Sequence, residues 1–199
     1  MDTCLPVFFL TETNPLHRRI RSFILLSIIL HGIDNLMFMK KPYSILFVCL
    51  GNICRSPGAE AVFRALVKKK TAEEDFYIDS AGTSAYHEGE KADQRMQKHA
   101  VKRGYDLTSI SRQFQPGDFE KFDLIIAMDD TNYYELKEQA RSVEEENKIV
   151  KMTDFSRKYE YDHIPDPYFG GAEGFELVLD LLEDAAEGLY ESIEEKSSE

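Results

Sequence analysis

From residue 43 onward, short apolar runs alternate with longer segments in which apolar side chains recur every three or four positions. The runs predict buried strands, and the helical periodicity predicts amphipathic helices. We predict strands at 43–48, 76–80, 122–128 and 148–152, and helices at 57–70, 92–103, 131–140 and 175–192. This alternation is typical of an α/β protein, here a single domain with a central four-stranded parallel sheet and helices on both faces.

Residues 1–38 do not follow this pattern. An apolar run at 23–30, preceded by three arginines, is too short to span a bilayer but close in length to the core of a signal peptide. The alternative is that translation starts at Met37 or Met39, directly before the first strand. We expect this segment to be an extension outside the fold, and residues 39–199 to form the domain.

The composition narrows the classes of partner. A chain of 199 residues with 43% hydrophobic content can bury one core, and its net charge of −12 argues against nucleic acid as a partner. The same charge argues against an anionic membrane surface, unless the N-terminal segment is real. The three cysteines suit neither a disulfide framework nor a zinc site, which favours a reducing, cytoplasmic setting. The five histidines show no ligand spacing, so we expect no metal and no cofactor.

Residues 45–57, with the sequence ILFVCLGNICRSP, carry the main chemical signal. A buried strand leads to Cys49, a loop that reaches positive φ easily follows, and Ser56-Pro57 suits a helix start with Ser56 as its N-cap. Backbone N–H groups of the loop, the positive end of the helix dipole and Arg55 would converge on a tetrahedral oxyanion. The same field favours the thiolate of Cys49, the nucleophilic form of cysteine. The sequence therefore predicts a phosphate-binding loop after the first strand that also carries the attacking atom.

The stretch from Cys49 to Pro57 resembles the signature loop of the low-molecular-weight protein tyrosine phosphatases. Further matches follow in the family's order at 79–83, 112–113, 127–132 and 166–168. The resemblance implies a protein-tyrosine phosphatase that hydrolyses phosphotyrosine monoesters, in proteins or small aryl phosphates, through a phosphocysteine intermediate. Cys49, Arg55 and Asp166 would be catalytic, and the phosphate would be bound by Leu50, Gly51, Asn52, Ile53, Cys54 and Ser56.

Several residues take their expected roles from this resemblance. Asp166, which alone would be interpreted as the start of a turn, would protonate the leaving oxygen and then activate water. Tyr86 and Tyr168 would wall the entrance around a phosphotyrosine ring, although each could be an ordinary surface tyrosine. Asn52 would hold the loop in its strained shape, and the Ser56 hydroxyl would donate to the thiolate, which is compatible with Ser56 as N-cap. Asp129 fits a position that supports the site. Cys54 could trap oxidised nucleophile as a reversible disulfide or serve as a small apolar filler.

One departure from the family pattern and one position that distinguishes its branches bear on function. Ser109 stands where many members have a histidine, so the hydrogen bonds of that histidine must be replaced or missing. Ile53 stands where the protein-arginine phosphatases of the same family usually have threonine, which favours phosphotyrosine over that alternative.

A second alternative, thioredoxin-coupled arsenate reductase, needs further cysteines, and none follows Cys54. The third alternative is a non-catalytic phosphate-binding module, against which the intact catalytic residues count.

Overall fold

A computed structural model of the protein describes residues 41–168 and 171–197. The expected extension at 1–38 lies outside these residues. Contacts group Pro42–Glu199 into one compact unit. Among the helices of the described ranges, none combines the length and the apolar character that a membrane crossing requires.

Four short parallel strands form the centre of this unit. They are β1 (Tyr43–Cys49), β2 (Phe76–Gly82), β3 (Leu124–Ala127) and β4 (Ile149–Lys151), in the spatial order β2-β1-β3-β4. The predicted four-stranded parallel sheet is therefore confirmed. The central strand β1 is buried from its second residue onward, as its unbroken apolar run requires. Because Cys49 ends β1, it lies at the carboxyl edge of the sheet, where ligand sites of such sheets form.

Helices cover both faces of the sheet, as predicted. In the described residues they are α1 (Arg55–Lys69), α2 (Gln94–Lys102), α3 (Asp118–Lys121), α4 (Asp130–Gln139), α5 (Val143–Glu146) and α6 (Ala172–Ser197), with 3₁₀ turns at Glu73–Asp75 and Met152–Phe155. Ile45 and Phe47 belong to the core formed with α1, α2 and α6. Leu46 and Val48 belong to the opposite core, formed with α3 and α4. The alternating side chains of β1 thus join the two layers.

The start of α1 differs from the prediction. We predicted a helix from Pro57 with Ser56 as its N-cap, but α1 begins at Arg55, Cys54 occupies the N-cap position, and no side chain caps the helix. The Ser56 hydroxyl lies against Cys49 and the Ala81 carbonyl instead. Tertiary partners have therefore overridden the local capping preference of serine. The N–H groups of the first turn keep no side-chain cap, which leaves them for an anion.

The remaining differences concern the length of one helix and two short helices that were not predicted. Helix α6 extends beyond both ends of the predicted 175–192 segment, and α3 and α5 were not predicted. Each of these two helices has four residues, which is too few to show a helical period in the sequence.

A glycine in α1 brings three helices close together. A Cβ atom on Gly58 would lie 2.6 Å from the Met96 side chain of α2 and 3.2 Å from the Leu182 side chain of α6. The missing side chain therefore allows both neighbours to pack against the first turns of α1. This packing holds the N-terminus of α1 toward the carboxyl end of β1.

Candidate active site

The candidate nucleophile lies between the end of a strand and the start of a long helix. Cys49 is only 3% exposed at the end of β1, and α1 begins six residues later. The first turn of α1 contains no acidic side chain, so nothing there opposes the positive end of the helix dipole. The loop between them is therefore electrostatically suited to an anion.

Two groups of the loop contact the sulfur directly. The backbone N–H of Asn52 donates to Cys49 Sγ at 3.3 Å, and the Ser56 hydroxyl lies 3.1 Å from the same atom. That hydroxyl has one proton and two acceptors in reach, since the Ala81 carbonyl is also at 3.1 Å. A thiolate is the stronger acceptor, so ionisation of Cys49 would turn the Ser56 proton toward the sulfur.

Asn52 holds the loop in a conformation that few residues adopt. Its φ of +52° lies in the left-handed region, where asparagine is more tolerated than most side chains. The buried side chain donates to the Ser56 and Ser80 hydroxyls, each at 2.9 Å, and accepts from the Arg112 N–H at 3.0 Å. Both N–H groups of the amide and one lone pair of its oxygen are therefore used. These hydrogen bonds fix the loop to segments that are distant in the sequence.

The segment after β2 packs directly under the loop. A Cβ atom on Gly82 would lie 2.8 Å from the Leu50 carbonyl oxygen, so this close approach requires glycine. The N–H groups of Thr83 and Ser84 donate to the carbonyls of Cys49 and Leu50 at 2.8 and 2.9 Å. The 79–83 motif thus supports the loop from below.

The region of Ser109 also reaches the loop, through neighbouring residues. The Ser111 hydroxyl donates to the Gly51 carbonyl at 3.0 Å, and the Arg112 N–H donates to Asn52. These two bonds connect the segment to the loop without a histidine at position 109.

Arg55 brings two acidic residues from distant loops to the site. Its guanidinium is buried and contacts Asp129 at 2.5 Å, the Ile164 carbonyl at 3.1 Å and Asp166 at 3.4 Å. Burial lowers the pKa of Arg55, but the negative charges of Cys49, Asp129 and Asp166 outweigh burial and raise this pKa above its ordinary value. The guanidinium is therefore a permanent positive charge at the base of the loop.

Asp166 lies opposite the loop on the segment before α6. One of its carboxylate oxygens accepts from the Tyr168 N–H at 3.0 Å, and the other faces Arg55. Its side chain is 36% exposed, so the carboxylate lies at the boundary between the site and solvent. A carboxyl group in this position can exchange a proton with a bound molecule and with water.

These groups border one cavity of about 450 Å³. It is lined by the nucleophile loop, by Asp166 and by a rim after β2, namely Cys49, Leu50, Gly51, Ile53, Cys54, Arg55, Ser84, Tyr86, His87, Asp166 and Tyr168. Tyr86 is 84% exposed at this rim, and the apolar Ile53 side chain forms part of the wall. The cavity therefore combines an anion-binding base with an apolar and aromatic entrance.

The sequence matches the family description "Low molecular weight phosphotyrosine protein phosphatase" over residues 44–199. A protein tyrosine phosphatase from Entamoeba histolytica is 48% identical and superposes with a TM-score of 0.76, covering 78% of this chain and 99% of that chain. A low molecular weight protein-tyrosine-phosphatase from Streptomyces coelicolor is 40% identical over 157 residues, which are 77% of this chain and 95% of that protein. The crystal structure of DARP, the Drosophila arginine phosphatase, is 33% identical with a TM-score of 0.70, covering 75% of this chain and 96% of that chain.

The chain belongs to the low molecular weight phosphotyrosine protein phosphatase family. The resemblance seen in the sequence is thereby confirmed. The loop from Cys49 to Ser56 lies inside the matched region, residues 44–199.

Two residues that line this cavity, Ser84 and His87, were missed by sequence reasoning. His87 lines the cavity beside Tyr86, with ring centroids 4.8 Å apart, and its ring lies 6.5 Å from that of Tyr168. Its Nδ1 atom is 2.8 Å from the Glu90 carboxylate. The spacing of the histidines could not reveal it, because its place in the cavity depends on the nucleophile loop and Tyr168, which are distant in the sequence.

The second cysteine of the loop is buried beside the cavity. Cys54 is a free thiol and is 4% exposed. Burial, followed by the nearby charges of Asp93 and Cys49, raises the pKa of this thiol far above its ordinary value. Cys54 is therefore held in the thiol form, which is the poorly nucleophilic form of cysteine.

The described residues contain no cluster of three or more histidine, cysteine or acidic side chains arranged to hold a metal ion. Asp129 and Asp166 are both paired with Arg55.

Proposed function

We propose that this protein hydrolyses phosphotyrosine monoesters through a phosphocysteine intermediate, with Cys49 as nucleophile, Arg55 as the phosphate-binding cation and Asp166 as acid and then base. The observation that carries this proposal is the convergence of these three side chains on one cavity. The charge of Arg55 and the loop N–H groups from Leu50 to Ser56 compensate the phosphoryl oxygens.

In the first step, Cys49 Sγ attacks phosphorus as the bond to the leaving oxygen breaks. Asp166 donates its proton to that oxygen, so that a neutral phenol leaves rather than a phenoxide. The Ser56 hydroxyl, 3.1 Å from the sulfur, stabilises the thiolate before the attack. The products of this step are the free phenol and an S-phosphorylated cysteine.

In the second step, Asp166 is a carboxylate and takes a proton from a water molecule. The oxygen of that water attacks phosphorus, the S–P bond breaks, and the electron pair returns to Cys49 as thiolate. The partial exposure of Asp166 supports this role because water can reach its carboxylate from the cavity entrance. Inorganic phosphate then leaves, and the site returns to its starting state.

The cavity entrance favours an aromatic substrate. Tyr86, His87 and Tyr168 surround the opening, and Ile53 adds an apolar wall without a hydroxyl group. A phosphotyrosine ring can lie against these groups, whereas a phosphoarginine guanidinium would place its polar N–H groups against Ile53 without an acceptor. We therefore propose phosphotyrosine proteins and small aryl phosphates as substrates, and phosphoarginine proteins as the second candidate.

Two substitutions test the assigned roles. Cys49→Ser should abolish hydrolysis of p-nitrophenyl phosphate but keep phosphate affinity, because the loop and Arg55 remain. Asp166→Asn should lower kcat/KM mainly for substrates with poor leaving groups, by about 10²-fold or more. EDTA should leave turnover unchanged. Substantial turnover by Cys49→Ser, or an equal loss for good and poor leaving groups in Asp166→Asn, would contradict these roles.

A third substitution tests the choice of substrate. Ile53→Thr replaces a methyl group by a hydroxyl, and the loss of apolar contact with the ring is worth on the order of 1 kcal/mol. The ratio of kcat/KM for phosphotyrosine over phosphoarginine peptides should therefore fall by roughly fivefold to tenfold. If the wild-type protein cleaves phosphoarginine at least as well as phosphotyrosine, the proposed substrate class is wrong, although this result does not contradict the role of Cys49 as nucleophile.

We also propose a reducing compartment, the cytoplasm, as the place of action. The support is chemical: Cys49 and Cys54 are both free thiols within one loop, and a mechanism based on a thiolate requires Cys49 to remain reduced.

A further inference from the structure

Arg95, in the first turn of α2, contacts two separate parts of the site. Its guanidinium donates to both carboxylate oxygens of Asp93, at 3.1 and 2.8 Å. The remaining nitrogen donates to the Tyr168 carbonyl at 3.0 Å. The planar fork of arginine suits this double task, because its N–H groups point in fixed directions toward both acceptors.

On one side, this arginine is connected to the loop of the nucleophile. The backbone N–H of Asp93 donates to the Ile53 carbonyl at 2.8 Å, and the Asp93 side chain caps α2 by accepting from the Arg95 N–H at 2.8 Å. The hydrogen bond to Arg95 lowers the pKa of the Asp93 carboxyl, so the pair is fully ionised at neutral pH. The N-terminus of α2 is thereby joined to the loop that carries Cys49.

On the other side, Arg95 is connected to the segment of the general acid. The Tyr168 carbonyl accepts from Arg95, and the Tyr168 N–H donates to Asp166 at 3.0 Å. The guanidinium carbon also lies 5.1 Å from the ring centres of Tyr168 and Phe175, which are cation–π distances. Arg95 thus contacts both the segment of Asp166 and the first turns of α6.

We propose that Arg95 is a positioning residue that sets the distance between the general acid Asp166 and the nucleophile Cys49. This inference rests on the proposed function, since it requires Asp166 to be the acid. Arg55 contacts the same carboxylate only at 3.4 Å, so the connection through Tyr168 is the closer restraint on Asp166. Arg95 is not itself a lining residue of the cavity, and it reaches the lining through Tyr168.

A second arginine, at the C-terminal end of the same helix, provides a matched control. Arg103, just after α2, binds Glu176, Asp180 and Glu183 of α6. Its side chain bonds only to α6, whereas Arg95 reaches α6 through the Phe175 ring. A variant without Arg103 therefore measures the effect of weaker packing between α2 and α6 on activity, while the hydrogen bond from Arg95 to the Tyr168 carbonyl is kept.

The experiment measures kcat/KM for aryl phosphates whose leaving groups range from p-nitrophenol to phenol. Arg95→Met, which keeps an apolar contact with the two rings, should stay within about twofold of wild type for p-nitrophenyl phosphate but fall roughly tenfold for phenyl phosphate, because small misplacement of a catalytic group costs up to about 10²-fold. Arg95→Lys should show the same pattern, since one ammonium cannot bind Asp93 and Tyr168 together in the same geometry. Arg103→Met should lower Tm and shift the whole series equally.

The decisive measurement is the double variant Arg95→Met with Asp166→Asn. If Arg95 acts through Asp166, the double variant should lie within about twofold of Asp166→Asn alone for every leaving group. A further loss that adds in full, an equal loss across the series in Arg95→Met, or unfolding of both Arg95 variants would overturn the inference. If Asp166→Asn itself shows no dependence on the leaving group, the proposed role of Asp166 fails, and the role of Arg95 fails with it.

Discussion

The replacement of Asn52 by alanine or glycine separates two contributions to the loop. The asparagine side chain makes three hydrogen bonds and sits on a backbone with φ of +52°. Alanine removes the hydrogen bonds and keeps the backbone strain of a side chain in the left-handed region. Glycine removes the same hydrogen bonds but has no such strain.

The hydrogen bonds can be followed one by one. After truncation, the Ser80 hydroxyl still donates to Glu60, and the Ser56 hydroxyl still donates to the Ala81 carbonyl. Each serine therefore loses only the hydrogen bond that it accepted from the Asn52 amide. The Arg112 N–H loses its Asn52 acceptor outright, which costs about 1–3 kcal/mol. Two lost hydrogen bonds of about 1 kcal/mol each bring the total to roughly 3–5 kcal/mol.

The two variants should differ in a predictable direction. Alanine in the left-handed region lowers the free energy of unfolding by about 1–2 kcal/mol through backbone strain. Glycine lowers it by about 0.4–1 kcal/mol, because glycine gives the unfolded chain more conformational freedom. Asn52→Gly should therefore be more stable than Asn52→Ala by roughly 0.5–1 kcal/mol in urea unfolding. Both should reduce kcat/KM by about tenfold or more, because the Asn52 N–H would no longer be held against Cys49 Sγ.

Unfolding curves and turnover of p-nitrophenyl phosphate measure both effects. A loss of less than about 1 kcal/mol for Asn52→Ala would show that the amide is not a structural centre of the loop. Alanine more stable than glycine would refute the assignment of strain to the positive φ.

Three further predictions concern residues around the site and the fold. Mild peroxide should inactivate the wild type reversibly and Cys54→Ser much less reversibly, since the thiol can trap a sulfenic acid on Cys49; equal recovery of both in dithiothreitol would exclude this. Gly82→Ala should lower stability and kcat/KM together, because its Cβ would lie 2.8 Å from the Leu50 carbonyl; full activity would show that the loop can move away. Burial opposes ionisation of Asp184, but backbone N–H groups outweigh it and lower its pKa, so its stabilising effect is present above about pH 4 and is lost as pH falls through that lowered pKa. Asp184→Asn should therefore reduce Tm at pH 7 and have a smaller effect in acid; an equal reduction at both pH values would argue against the charge.

The sequence by itself determined the parts of the site that are close together along the chain. Cys49 and Arg55 are placed by one strand, one loop and the start of one helix, and such local geometry follows from apolar runs and turn residues. The alternation of strands and helices likewise predicted the parallel sheet, because period and chain order carry that information. Element bounds were less certain, and the missed four-residue helices show that a period needs length to be visible.

Only the tertiary structure decided which distant groups meet the loop. Asp129 and Asp166 reach Arg55 because β3 lies next to β1 and the later segment folds back over their carboxyl ends. Asp166 could be named from resemblance, but its sequence context alone indicates only a turn. The physical reason is that side-chain contacts across the carboxyl ends of neighbouring strands depend on strand order.

The same reasoning explains the errors at the centre of the site. Ser56 has the residue type of an N-cap, but its hydroxyl binds groups brought there by β1 and β2, and only the resemblance indicated its contact with Cys49. His87 was missed because its place in the cavity depends on the nucleophile loop and Tyr168, which are distant in the sequence. Local preferences are worth about 1 kcal/mol, so a few long-range hydrogen bonds in a buried site are enough to override them.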